Sequence, residues 1–333
     1  MKRIVLYLAI AFQVLALAWI AAKREWIVQT GETVYIRSAP IDPRDIFRGD
    51  YVRLNYEAST FSKTELRDGL LDGEVNRGSQ VYVPLEIDAR GLASAQYVTD
   101  LKPDHPPFLR GYVLHHWLGD AGRATLQVKY GIEQYFVEQG KGLAIEQQRG
   151  TRSGIQQPME IELALDSQGT AIIKGYRWSP LGIGLAVKRA VERDPLATER
   201  SAVLELTLQN ASDTPLSIVM LPDLCSFQLI SVKTASIHIE HRRPECERLT
   251  PRPEHLLTLA PEESRAFTFD FNTAPWLVNY NNRPTSIGTL KWDQRFRLVY
   301  RSPPAVDTLI KPATHTWQGE LPSRAFHGGG QID

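Results

Sequence analysis

From Ile4 to Ala22 the chain carries nineteen consecutive residues that are apolar except for Gln13. No other feature constrains the fold as strongly. A run of this length spans roughly 28 Å as a helix, close to the hydrocarbon thickness of a bilayer. Helix is also the single-segment structure that satisfies its own backbone in lipid. Met1-Lys2-Arg3 supplies a basic start, and Tyr7, Trp19 and Trp26 lie where aromatic residues collect at the two membrane faces. Residues 1–25 read as a transmembrane signal anchor. A cleaved signal peptide is the competing reading, because Ala16-Leu17-Ala18 and Ile20-Ala21-Ala22 have the small-residue pattern of a cleavage site. The run is longer than a usual signal-peptide core, which favours the anchor. Lys23 and Arg24 balance Lys2 and Arg3, so charge alone does not orient it.

The remainder, about 310 residues, suffices for two ordinary domains. Basic and acidic residues number 38 each, and no basic block interleaves with aromatics, which argues against nucleic acid as a partner. Residues 26–186 read as mostly β. Thr33–Arg37, Gln80–Ile87, Phe108–His115 and Ala124–Tyr130 are rich in Val, Ile and Tyr. Met159–Leu165 and Thr170–Tyr176 flank Ser167-Gln168-Gly169, a hairpin by length and turn chemistry. Pro84 predicts an edge strand. Helix is sparse, with short pieces expected at Lys63–Leu71 and Leu143–Arg149. The predicted unit is a compact, partly closed β-barrel or sandwich. Residues 187–200 read as a charged linker. Residues 201–312 alternate as strands at the spacing of an immunoglobulin-like β-sandwich, a fold that carries no function by itself. Residues 313–333, polar and containing Gly328-Gly329-Gly330, read as a mobile tail.

Gly49-Asp50 is a turn signal. From Tyr51 the pattern alternates: Val52, Leu54 and Tyr56 point one way, Tyr51, Arg53, Asn55 and Glu57 the other, as in a half-buried antiparallel strand. Upstream, Asp42-Pro43-Arg44-Asp45 has the pattern of a helix N-cap with proline at the first helical position. The stretch from Gly49 to Tyr56 fits Gly-Asp-Tyr-x-x-Leu-x-Tyr at every defined position. It resembles the signature of the GDYXXLXY family. Tyr130-Gly-Ile-Glu-Gln-Tyr-Phe-Val-Glu138 resembles a second family feature, an aromatic segment ending in an acidic residue. Together they extend the resemblance over roughly residues 1–180.

The resemblance implies a bacterial membrane-anchored protein of unassigned activity. It places a single-pass chain in the inner membrane with its bulk on the periplasmic side. Members are often associated with multi-pass membrane proteins, which implies a membrane or envelope protein as partner. The expected function is a non-enzymatic binding or assembly module of the cell envelope. Its contact face is expected at Asp50, Tyr51, Arg53, Asn55 and Glu57, because Tyr and Arg are enriched at interface hot spots. Tyr56, on the other face, is assigned to the core.

Three constellations carry alternative chemistry. Ser38 before Ala39-Pro40, followed by Gly49-Asp50, resembles the serine–lysine arrangement of membrane-anchored signal peptidases, which would make the chain a hydrolase. That mechanism needs a lysine neutralised by burial, and Lys63 and Lys102 lie in polar surroundings. Asp42, Asp45, Asp50, Tyr51, Glu57, Glu133 and Glu138 form an acidic and aromatic patch suited to acid–base work or calcium. Arg37, Arg44, Arg48 and Arg53 lie among them, so local ion pairing is the simpler account. Cys225 and Cys246, in an oxidising compartment, read as one disulfide; free thiols, or zinc held with His238 and His241, are the alternatives. The spacing is wrong for a compact zinc finger, and His115-His116 would face opposite sides of a strand. Neither metal nor cofactor is expected.

Overall fold

A computed structural model of the chain describes residues 2–39, 51–72, 75–118, 124–137, 145, 148, 154–191, 201–232, 239, 241–290, 294–303 and 316–332. The architecture is mainly β: one apolar helix, then sandwich-like sheets around two hydrophobic cores.

Helix α1 runs unbroken from Lys2 to Thr30. Leu6, Phe12, Leu15 and Trp19 are all exposed on it. A helix that is apolar on every side is of the kind lipid accommodates, and this one is long and apolar enough to cross a membrane. Its last turn differs, because Ile27 is buried against Ala164 and Ile172.

The first core is enclosed by β1 (Glu32–Ala39), β2 (Tyr51–Arg53), β3 (Asn55–Tyr56), β4 (Thr60–Ser62), β5 (Gln80–Ile87) and β6 (Leu92–Ala95). β7 (Phe108–Leu118), β8 (Ala124–Lys129), β9 (Gln134–Phe136), β10 (Met159–Leu165) and β11 (Ala171–Trp178) complete it. The main sheet runs β11-β10-β1-β6-β5-β7-β8-β4, with β3 against the end of β1. Its end strands β11 and β4 do not pair, so the sheet is open and no barrel closes. Alternation supplies the core: Val81, Val83 and Leu85 from β5 meet Ile161, Leu163 and Leu165 from β10. The hairpin at Ser167-Gln168-Gly169 forms as expected, with Gly169 at φ 76°. Pro84 does not mark an edge. Residues 80–84 pair with β7 and residues 85–87 with β6. Pro84 thus sits where the strand changes partner, and its missing N–H interrupts neither ladder.

The second core is built from β12 (Leu181–Arg189), β13 (Val203–Asn210), β14 (Leu216–Val219), β15 (Phe227–Ser231) and β16 (Leu256–Leu259). β17 (Ser264–Asp270), β18 (Val278–Tyr280), β19 (Arg283–Thr285), β20 (Phe296–Arg301) and β21 (Glu320–Pro322) follow. They form the sheets β12-β13-β17, β14-β16, β15-β20-β21 and β18-β19. Two differences from the sequence reading stand out. Leu181, Ile183 and Leu185, expected at the end of the first domain, lie in this core, and the strand runs on through Arg189 into the expected linker. The expected mobile tail is packed: Trp317 is 2% exposed, Leu321 and Phe326 are fully buried, and β21 pairs with β20. Three large apolar residues outweigh the polar composition around them.

Cys225 and Cys246 form a disulfide with a sequence separation of 21. It ties the turn after β14 to a short helix at Pro244–Glu247. His241 stacks on Trp276 at 5.3 Å, and its Nε2 donates to the Pro275 carbonyl at 2.8 Å. Burial, together with Arg243, pushes its pKa below the usual histidine value. The zinc reading has no place here, since both thiols are oxidised and His241 is committed to a carbonyl; His238 lies outside the described residues.

Candidate functional site

The two segments that resemble the family lie against each other. β2 pairs with β9 in a ribbon, and Leu54 N–H donates to the Glu133 carbonyl at 2.9 Å. Two tyrosines then lock the segments reciprocally. Tyr56 Oη donates to the Ile132 carbonyl at 2.6 Å, and Tyr130 Oη donates to the Ala58 carbonyl. Both rings are buried. Burial, and secondarily the charge of Glu133, raises both phenol pKa values well above the ordinary 10. Glu133 itself accepts from the backbone N–H groups of Tyr130 and Gly131, capping the turn at Gly131, which has φ 83°. The sequence pattern gave no hint of this exchange, because each tyrosine reads as an ordinary strand residue until its partner strand is known.

Asp50 lies outside the described residues, as do Asp42, Asp45 and Glu138. Tyr51 and Arg53 stand opposite Phe136 and Gln134 in the ribbon register. Phe136 is 71% exposed and Gln134 is also exposed, whereas Tyr135 turns inward onto Tyr176, with ring centroids 5.8 Å apart. Phe136 shares the exposed face of Gln134, two residues before it, and the sequence reading does not single it out. Asn55 and Glu57 are half-buried beside the end of β1.

Glu57 pairs with Arg37 at 3.5 Å, and Arg37 Nη2 donates to the Glu320 carbonyl of β21 at 2.6 Å. Arg37 thus links the motif to the second core. Next to it lies the fully buried Glu160, opposite Arg37 in register. Its carboxylate accepts from Arg90 at 2.8 and 3.0 Å and from Arg177 at 2.7 Å. Arg177 also covers the Tyr35 ring at 3.6 Å, and Arg90 faces Trp317 at 5.3 Å. This seam of charge and aromatic rings joins the C-terminal segment to the first core. A buried carboxylate of this kind is tolerable only because both arginines stay in place.

The expected alternatives are placed as follows. Ser38 is buried in β1 opposite Tyr56. No lysine is buried among the described residues: Lys63 is exposed, and Lys102 donates to Gln168. The desolvated base that a serine–lysine mechanism requires is not supplied there. Of the acidic patch, Glu57 is paired with Arg37 and Glu133 caps a turn; the other carboxylates lie outside the described residues. Among the described residues no group of three His, Cys, Asp or Glu side chains is set to hold a metal.

Fold and site together define a β-rich protein with one membrane-capable helix, whose most distinctive segment is locked into its first core. The profile of the GDYXXLXY protein family matches residues 13–175. Through this stretch the chain belongs to that family, whose function is unassigned. No curated protein and no solved structure matches the chain.

Proposed function

We propose that the protein is a membrane-anchored, non-enzymatic binding or assembly module of the bacterial cell envelope. Its bulk lies on the periplasmic side of the inner membrane and its partner is a membrane or envelope protein. The observation that carries this reading is the β2–β9 ribbon, where exposed Phe136 stands opposite Tyr51 while the neighbouring tyrosines are committed to the core. An exposed aromatic beside Tyr and Arg has the composition of an interface anchor. The contact face comprises Asp50, Tyr51, Arg53, Asn55 and Glu57, now with Phe136. The disulfide suits an oxidising compartment, and the exposed apolar helix suits a single-pass anchor.

The test is in-cell crosslinking followed by mild-detergent pull-down, comparing wild type with Tyr51→Ala, Arg53→Ala and Phe136→Ala. A discrete partner lost in the variants is expected. No partner with wild type, while all variants remain folded, would sink the reading. Protease added to spheroplasts checks the side: digestion of residues beyond the anchor is expected, and protection would place the bulk in the cytoplasm.

A further inference from the structure

The anchor meets the first domain without a linker, and this joint fixes which end of the domain faces the bilayer. α1 contains neither glycine nor proline from Lys2 to Thr30. Its last turn is fastened by Ile27, buried against Ala164 and Ile172. Gly31 is so closely packed that a Cβ there would lie 2.5 Å from the Ile27 carbonyl oxygen and 2.9 Å from that of Leu165. β1 begins at the next residue. Ala164 and Ile172 face each other across β10 and β11, beside the turn at residues 166–169. Lys23, Arg24 and Trp26 are exposed, so the helix leaves the sheet at that turn instead of running back over it.

Distance decides what lies beneath. From Ala22, where the apolar run ends, to Ile27 is about 7.5 Å of helix. The headgroup layer is roughly 5–7 Å deep on each side of a bilayer. The turn end of the domain therefore meets the outer edge of the headgroup layer. A second segment lies at the same end, because Lys102 Nζ donates to Gln168 Oε1 at 2.9 Å and Arg110 N–H to the Gly169 carbonyl at 2.8 Å. That segment carries Leu101, 60% exposed.

We propose that this end, the turn at residues 166–169 with the loop at Leu101 and Lys102, is a second contact with the lipid surface that α1 crosses. Leu101 enters the headgroup layer and Lys102 stays at the level of the phosphates, an arrangement that suits an apolar residue beside a long basic one. The inference rests on the membrane-anchor reading. It adds that the domain is seated and oriented, presenting the β2–β9 ribbon at a fixed place above the bilayer.

The test uses the full chain in nanodiscs of phosphatidylethanolamine and phosphatidylglycerol. Both native cysteines are paired, so nitroxide attaches only to those introduced by Leu15→Cys, Leu101→Cys, His105→Cys or Asp213→Cys. All four positions except Leu15 are exposed parts of the folded β-rich region, and Leu15 is exposed on α1. The expected result is a Leu15 label in hydrocarbon, and labels at 101 and 105 that lose most of their accessibility to a water-soluble nickel relaxant relative to Asp213. Labels at 101 and 105 matching Asp213, with Leu15 in hydrocarbon, would overturn the second contact while leaving the anchor intact. A water-accessible Leu15 label would overturn the anchor and the seat together.

Discussion

A tyrosine hydroxyl buried against a backbone carbonyl is hard to replace, because removing it leaves a polar oxygen without water or partner. Tyr56 and Tyr130 are both of this kind. Tyr56→Phe and Tyr130→Phe are each expected to cost about 1–2 kcal/mol, read as a lowered urea midpoint at unchanged slope. Their pKa values are raised in the folded state, as is that of Tyr300, held mainly by burial. Below pH 10 both folded and unfolded forms keep the proton, and above it only the unfolded form releases it. Stability is therefore retained below pH 10 and falls as pH rises beyond it, less steeply in the Phe variants. Glu160→Gln removes the charge that two arginines share and is expected to cost about 3 kcal/mol, measured by the same unfolding curve. An unchanged midpoint would show that the arginines find water instead.

Among the elements, β21 tests the packing account. Ending the chain at Pro312 removes Trp317, Leu321 and Phe326, each worth roughly 1.5–3 kcal/mol of burial, or about 6 kcal/mol together. Since whole domains are stable by only about 5–15 kcal/mol, loss of the second domain's near-UV dichroism is expected. Reduction of Cys225–Cys246, which closes a loop of 21 residues, is expected to cost about 3 kcal/mol, seen as a lower melting temperature in reducing buffer. Strand existence was legible in the sequence wherever alternation was strong, as at Gln80–Ile87 and Met159–Leu165. Long-range exchanges were not, because nothing local tells Tyr130 that its partner is Ala58. Pro84 and the C-terminal segment misled for one physical reason: composition describes a residue's preferences, while pairing and burial are set by what arrives opposite it.

At the scale of the molecule, three parts are fastened in series: α1 to the first core through Ile27 and Gly31, the first core to the second through Arg37, Glu160 and Trp317. Helix α1 was legible as an apolar run, and so was the motif's core face at Leu54 and Tyr56. The proposed contact face was legible only in part, because Phe136 stands opposite Tyr51 through a ribbon whose register no local pattern fixes. On the proposed function two roles divide eight residues of motif: buried Tyr56 holds the fold, and the proposed contact residues meet a partner. The most direct measurement scores Tyr56→Phe and Tyr51→Ala side by side for unfolding midpoint and for partner capture after in-cell crosslinking. The account predicts that Tyr56→Phe lowers the midpoint and keeps the partner, whereas Tyr51→Ala keeps the midpoint and loses the partner. Tyr51→Ala that destabilises as much as Tyr56→Phe, or that captures the partner as well as wild type, would contradict it.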